Sequence, residues 1–219
     1  MSGRLSQLYI GHYAAAAVLL AVVPEAPVAP IAIGVAWPDL VWPLLVLAGR
    51  EKVTVRKDTP LQGAVQFDSY PFSHSLVLSN LLALVPAIAI GFIYGSWVAG
   101  LLFLLAAISH WLLDLVVHLR DLPILGFGKS DHKVGAGLWR YPRVAFVAEY
   151  LFFAAVVSVT ASPSMIVGLL GGGLLLHLLN ANSFFGFTKS NPVGTPKRFA
   201  ILTLMGYLAS TAWFLMAWQ

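Results

Sequence analysis

The chain alternates between long apolar runs and short connections rich in charged residues, proline or glycine. Seven apolar runs recur, at 8–23, 28–48, 74–93, 96–118, 143–161, 164–183 and 199–218. A membrane-spanning helix needs about 20 predominantly apolar residues, with a range of about 17–25. The pattern therefore predicts an all-α fold, a polytopic membrane helical bundle with about seven transmembrane helices. The first run is short, so the first two could instead form a re-entrant or tilted pair.

Composition supports a bilayer rather than water as the solvent of this chain. Hydrophobic residues make up 59% and charged residues 10% of the 219 residues, whereas a soluble domain carries about 25% charged residues. We expect a single membrane-embedded domain over 1–219, with membrane lipids as partners. The net charge of +4 fits basic loops that orient a membrane protein, so we expect no nucleic-acid partner. Cysteine is absent, which excludes disulfides and thiolate metal ligands.

The basic residues predict the orientation of the bundle. If all seven runs cross the membrane, the 13 lysines and arginines fall on one side of it. The positive-inside rule makes that side cytoplasmic. We therefore predict that the N-terminus lies inside and the C-terminus outside.

Eight ionisable side chains interrupt the apolar runs. Such groups are costly at membrane depth and usually mark a function. On the seven-span arrangement they all lie in the cytoplasmic half, although they come from six spans; they are His12, Asp39, His74, His110, Asp114, His118, Glu149 and His177.

Spacing makes one group of these residues informative. His110, Asp114 and His118 recur at i, i+4 and i+8, so they share one helix face over about two turns. A His-x-x-x-Asp pair lets one helix offer two metal ligands, a neutral nitrogen and a charge-balancing carboxylate. His110 and Asp114 could also simply pair with each other, or serve in a proton relay.

Other members of the set have simpler interpretations. His177 could hydrogen-bond only to a neighbouring helix, and His118 could be an interfacial residue. Glu149 could pair with Arg143 or another basic residue of the loops. Pro38 precedes Asp39 and frees a backbone carbonyl, which could turn the Asp39 carboxylate into a cavity.

Five short motifs follow one another along the chain: Gly11-His12, Trp37-Pro38-Asp39, Phe72-Ser73-His74-Ser75, Ser109-His110-x-x-x-Asp114 and Leu138-Trp139-Arg140-Tyr141-Pro142. This ordered set resembles the pattern of the YdjM-like family of membrane-bound metal-dependent hydrolases, also described as LexA-binding inner-membrane proteins. The resemblance covers about residues 10–150, and 160–219 would be additional transmembrane helices.

The family's ligand pattern is similar to that of zinc-dependent phospholipase C. This resemblance implies a divalent metal, zinc above all, and five ligands with Glu149 as a further one: His12, Asp39, His74, His110 and Asp114. It also implies a location in the cytoplasmic (inner) membrane of a prokaryote.

The chain departs from the family pattern at two motifs. Val41 and Trp42 stand where many members have a second Asp and a His. Ser69 and Tyr70 stand where many have His-Arg. Asp68 or His118 could replace the lost groups.

The resemblance implies a membrane-bound metal-dependent hydrolase that acts at the cytoplasmic face on a phosphoester or lipid-like substrate. Asp39 would be a bridging ligand or the general base, and Arg140 could hold a phosphate. Two alternatives use the same residues: a transporter or proton- or metal-conducting protein, and a non-enzymatic scaffold with a structural metal.

Overall fold

The computed structural model describes residues 10–56, 65–128 and 130–219, and most of these residues are helical. The helices are α1 (Gly11–Val22), α2 (Val28–Leu47), α3 (Pro71–His74), α4 (Leu78–Ile93), α5 (Trp97–Val117), α6 (Pro142–Thr160), α7 (Pro163–Leu179), α8 (Ala181–Phe185) and α9 (Pro196–Ala217). Short strands are β1 (Lys52–Val55), β2 (Val65–Ser69), β3 (Leu122–Pro123) and β4 (Lys133–Val134), and a 3-10 turn lies at Leu138–Arg140.

Each of the seven apolar runs contains one principal helix, which confirms the predicted helical class. Among the residues that the structure describes, four helices are long and apolar enough to cross a membrane: α2, α5, α6 and α9. The other three, α1, α4 and α7, have 12, 16 and 17 residues. Seven crossings, and the orientation of the termini, therefore stay predictions. Arg4, Lys57 and Lys129, which contributed to that orientation, lie outside the described residues.

Two small antiparallel hairpins extend the connections between helices, and the hydrophobic pattern did not predict them. In the first, β1 pairs with β2 and brings Val53 opposite Phe67. Val53 and Val65 are buried, so the hairpin closes over one end of the bundle. In the second, β3 pairs with β4, and the Asp131 carboxylate accepts hydrogen bonds from the backbone N–H groups of Leu125 and Gly126.

Helix α2 is the centre of the bundle and packs against α1, α5 and α9. Its contact with α5 depends on Gly34, where an added Cβ would lie 2.6 Å from the carbonyl oxygen of Phe103 and 2.7 Å from the Cβ of Ala106. Small residues let helix backbones approach in this way. The close approach matters for the site because α2 carries Asp39, and α5 carries His110 and Asp114.

We predict that Gly34→Ala destabilises the protein. The new methyl group has no space between α2 and α5, and such overpacking costs about 1–3 kcal/mol. Thermal unfolding in detergent should show a lower midpoint.

Gly171→Ala is the matched control, because an added Cβ at Gly171 in α7 meets no atom within 4 Å. Alanine favours a helix over glycine by about 1 kcal/mol, so this midpoint should be unchanged or higher. Equal midpoints for the two variants would contradict the close contact.

Candidate metal centre

Four helices bring the buried ionisable residues together where α2 and α5 approach their ends and α1 begins. His12 lies in the first turn of α1, Asp39 lies in α2, and His74 ends the short helix α3. Helix α5 supplies the remainder of the cluster, and His118 follows its last residue. Every member is at most 7% exposed: His12, Asp39, His74, His110, Asp114 and His118.

Asp114 lies at the centre of the histidines. Its Oδ1 is 3.4 Å from His12 Nε2, and its Oδ2 is 3.3 Å from His110 Nε2. The same Oδ2 lies 3.7 Å from His118 Nε2 and 3.9 Å from His74 Nε2. The i, i+4 and i+8 spacing on α5 therefore does place its three side chains together, as the sequence predicted.

Asp39 completes the cluster from α2. Its Oδ1 is 3.2 Å from His74 Nε2, and its Oδ2 is 3.5 Å from His110 Nε2. Two groups of three side chains consequently have ligand atoms within 4.8 Å of one another, and they share His110: His12, His110 and Asp114, and Asp39, His74 and His110. These two groups together contain the five ligands that the family resemblance implied.

In three of the histidines, Nδ1, the ring nitrogen that points away from the cluster, has a hydrogen-bond acceptor. His110 Nδ1 lies 2.7 Å from the carbonyl oxygen of Val35, which can only accept a hydrogen bond. His118 Nδ1 lies 3.2 Å from the carboxylate of Asp121. In both rings the proton must therefore be on Nδ1, and Nε2 faces the cluster.

His74 is held in the same way through a serine. Its Nδ1 lies 2.7 Å from Ser73 Oγ, and Ser73 Oγ donates its own proton to Glu51 Oε2 at 2.7 Å. Ser73 must then accept the hydrogen bond from His74 Nδ1. Metal-ligating histidines almost always donate their second N–H to a carboxylate, a carbonyl or water in this manner.

This arrangement fits a divalent cation. Two states satisfy this arrangement. An imidazolium donates from Nε2 to a carboxylate, as in the hydrogen bond of His74 Nε2 to Asp39 Oδ1 at 3.2 Å, whereas a neutral imidazole with its proton on Nδ1 turns an Nε2 lone pair toward the same space. In the second state a divalent cation between the rings would balance the charges of Asp39 and Asp114. Among the described residues, Nε2 of His12 and Nε2 of His110 are buried without a hydrogen-bond partner, as metal ligands would be. A buried carboxylate needs an opposite charge or a metal ion as a partner.

Glu51 supports the site, although no sequence pattern distinguished it from the other charged residues of its loop. It is 2% exposed and follows α2 within a loop of charged residues. Its Oε1 accepts hydrogen bonds from the backbone N–H groups of Phe72 and Ser73 at 2.8 and 2.9 Å. Burial raises the pKa of Glu51 above its usual value, although the Ser73 bonds and the charge of His74 act in the opposite direction. The two N–H bonds hold the first turn of α3 to Glu51, and they thereby position His74.

A narrow cleft, with a cavity volume of about 10 Å³, reaches the cluster between aromatic side chains. Its lining includes Asp39, Asp114 and His118 together with Tyr70 and Trp139. Burial, with the negative charges of Asp121 and Asp114 nearby, raises the pKa of Tyr70 well above its usual value. The Tyr70 hydroxyl is a hydrogen-bond donor at the cleft, and the Asp121 carboxylate is one acceptor within its reach.

Glu149, the further ligand of the sequence prediction, belongs to neither of the two ligand groups. Its Oε1 accepts hydrogen bonds from the backbone N–H groups of Ile10 and Gly11 at 2.9 and 3.1 Å. A carboxylate at a helix N-terminus satisfies N–H groups that have no partner within the helix. Glu149 therefore anchors the start of α1 to α6 and positions His12.

Two other residues of the predicted set also lie outside the cluster. His177 Nε2 bonds to the carbonyl oxygen of Phe146 at 2.9 Å, and the two rings stack, so it joins α7 to α6 as a structural residue. Arg140 is exposed and follows Trp139, whose ring packs against His118. Its role in phosphate binding stays a prediction.

The residues at which the chain departs from the pattern of the resembled family have other contacts. Trp42 is fully buried and packs edge-on against Phe67 and Phe199, so this position is occupied by a packing residue. Asp68 does not compensate, because it accepts a hydrogen bond from Thr54 on the exposed hairpin. His118 does approach Asp114.

We predict that Ser73→Ala weakens metal binding about 10–100-fold, the usual effect of removing an outer-shell partner. The change leaves the Nδ1 proton of His74 without an acceptor. Competition with a chromophoric zinc chelator measures the affinity. Ser109→Ala is the control, because the Ser109 hydroxyl bonds only to the Ala106 carbonyl of its own helix. Equal losses in both variants would contradict the role of Ser73.

We predict that Glu149→Gln retains the metal at the wild-type level. The glutamine carbonyl oxygen can still accept the two N–H bonds at the start of α1. If Glu149 were a metal ligand, removal of its negative charge would weaken metal binding. Metal analysis of the purified variant by mass spectrometry provides the test. Loss of metal in this variant would contradict the prediction and would support Glu149 as a ligand.

Comparison of the chain with protein-family models, curated proteins and solved structures found no match in any of the three. The resemblance to the YdjM-like family therefore depends on the ordered motifs alone and stays a prediction.

Proposed function

We propose that this protein is a membrane-embedded, metal-dependent hydrolase that acts on a phosphoester or lipid-like substrate. The observation that carries the proposal is the set of imidazole rings with Nδ1 held by Val35, Ser73 and Asp121. Their Nε2 atoms converge on two carboxylates inside an apolar bundle. A structural ion pair between one histidine and one aspartate would not need this arrangement.

The proposed ligands are those that form the two overlapping groups, with zinc as the preferred cation: His12, Asp39, His74, His110 and Asp114. Nitrogen and carboxylate donors without thiolate suit zinc. A bound divalent metal supplies hydroxide near neutral pH by lowering the pKa of its water toward about 7. Hydrolysis then adds the water oxygen to phosphorus, breaks the bond to the alcohol oxygen and returns a proton to the alcohol.

The two carboxylates have different surroundings, which suggests different roles. Asp114 has four imidazoles near its oxygens, whereas Asp39 has two. Both line the cleft. Asp39 is therefore the better candidate to accept the proton of the attacking water, as the family resemblance implied. Tyr70, protonated and at the same cleft, would donate a hydrogen bond to a substrate oxygen.

The side of the membrane follows from the loop charges. If all seven runs cross the membrane, the positive-inside rule assigns the half that holds the cluster to the cytoplasm, and we propose that catalysis takes place there, in the inner membrane of a prokaryote. A transport path would need ionisable groups towards the opposite end as well. Among the described residues, the buried ionisable side chains belong to the cluster, to its Glu51 support or to the neighbouring Glu149 and His177.

Metal analysis of the protein purified in detergent tests the proposal. We expect the wild type to carry a divalent metal, and His110→Ala and Asp114→Ala to lose most of it and to lose hydrolysis of phosphodiesters. His132→Ala is the control, since His132 is exposed in the loop before β4. A wild type with almost no metal after zinc reconstitution would refute the proposal. Metal retained without hydrolysis of any phosphoester would support the structural-metal scaffold instead.

A further inference from the structure

A second and larger open space lies beside the candidate metal centre. It is a groove with a cavity volume of about 560 Å³ between α7, α8, α9 and strand β2. Most of its lining is apolar, for example Leu176, Leu179, Leu202, Met205 and Ala209. No residue of that lining carries a charge. We call it the α7–α9 groove.

The groove opens on a surface that would face lipid. Leu179, Leu202 and Met205 are 75%, 57% and 60% exposed. They lie on α7 and α9, and α9 is one of the four helices long and apolar enough to cross a membrane. The solvent at such a surface is hydrocarbon rather than water. An apolar groove there is filled by an acyl chain, because water gains no hydrogen bonds in it.

The groove and the cleft at the metal ligands are neighbours that share a lining residue. Phe67 of β2 lines both spaces. The Phe67 ring centroid lies 5.3 Å from that of Tyr70, and the Tyr70 ring lies 5.5 Å from the His74 ring. A chain in the groove would therefore place the polar end of its molecule within about one aromatic ring of the cluster.

The end of the groove near the cleft offers polar and basic groups. Asn180 and Ser183 belong to its lining and can bond to ester or hydroxyl oxygens. Lys197 and Arg198 are exposed in the first turn of α9, next to Phe199 of the lining. Their charge suits an anionic headgroup. The groove thus changes from apolar to polar and positive in the direction of the cleft.

We propose that the α7–α9 groove binds one acyl chain of an anionic phospholipid from the surrounding bilayer and directs the headgroup phosphoester into the cleft at Asp39 and His74. The second half of this statement depends on the proposed hydrolase function. Binding of the chain does not, because no metal ligand contacts the groove.

Photocrosslinking tests the binding of the chain. The probe is a phosphatidylglycerol with a diazirine on one acyl chain, added to the full-length protein in nanodiscs, with adducts mapped by mass spectrometry. We expect adducts at Leu179, Leu202 and Met205 to exceed severalfold those at Leu151 of α6, an equally exposed apolar residue. Adducts spread evenly over both surfaces would overturn the proposal.

A matched pair of variants makes the test specific. Ala209→Trp fills the groove, whereas Ala155→Trp makes the same change at an exposed position of α6 outside it. We expect groove adducts to be lost in the first variant and kept in the second. Leu202→Trp provides a second obstruction if Ala209→Trp fails to fold. Adducts that persist in a folded, obstructed variant would contradict the assignment.

Activity separates this proposal from the hydrolase proposal. Ala209→Trp should lose hydrolysis of long-chain phosphatidylglycerol severalfold while it cleaves a small water-soluble phosphodiester at the wild-type rate. Equal loss of both reactions would overturn the groove as a substrate site. Conversely, His110→Ala should keep its groove adducts although it loses metal. A wild type without metal or hydrolysis, but with specific adducts, would refute only the hydrolase.

Discussion

Two carboxylates, Asp39 and Asp114, lie buried close together inside an apolar bundle, where uncompensated negative charge is very costly. The surrounding structure supplies that compensation. Helices α1, α3 and α5 supply the imidazoles. The close backbone contact at Gly34 brings α2 and α5 near enough for Asp39 and Asp114 both to contact His110. Glu51 and Glu149 do not belong to the two ligand groups, but each fixes a segment that carries one of the imidazoles.

The helices and the members of the cluster could be predicted from the sequence because both depend on simple local patterns. An apolar run long enough to form a helix in lipid is visible in the sequence, and a polar residue within it must find partners. The spacing of His110, Asp114 and His118 then defines a face of α5 without knowledge of the other helices. His12, Asp39 and His74 needed the family resemblance, since their relation to that face depends on how the helices pack.

The supporting residues could not be predicted in the same way. Glu51 and Asp121 lie in polar connections, where charged residues are ordinary and nothing distinguishes a buried carboxylate from an exposed one. Glu149 lies in an apolar run and was therefore grouped with the ligands, although its partners are backbone N–H groups of α1. The number of membrane crossings is open for a different reason: α1, α4 and α7 are shorter than about 18 residues, and length alone does not decide whether such helices cross.

The position of His110 in both ligand groups makes it the one donor that the two groups share. Its Nδ1 is occupied by the Val35 carbonyl, so a single nitrogen, Nε2, faces both Asp39 and Asp114. That nitrogen could coordinate only one cation at a time. The two three-residue groups could therefore not both be complete at once: a cation held by His110 and His12 would leave Asp39 and His74 as a pair of donors without the shared ring.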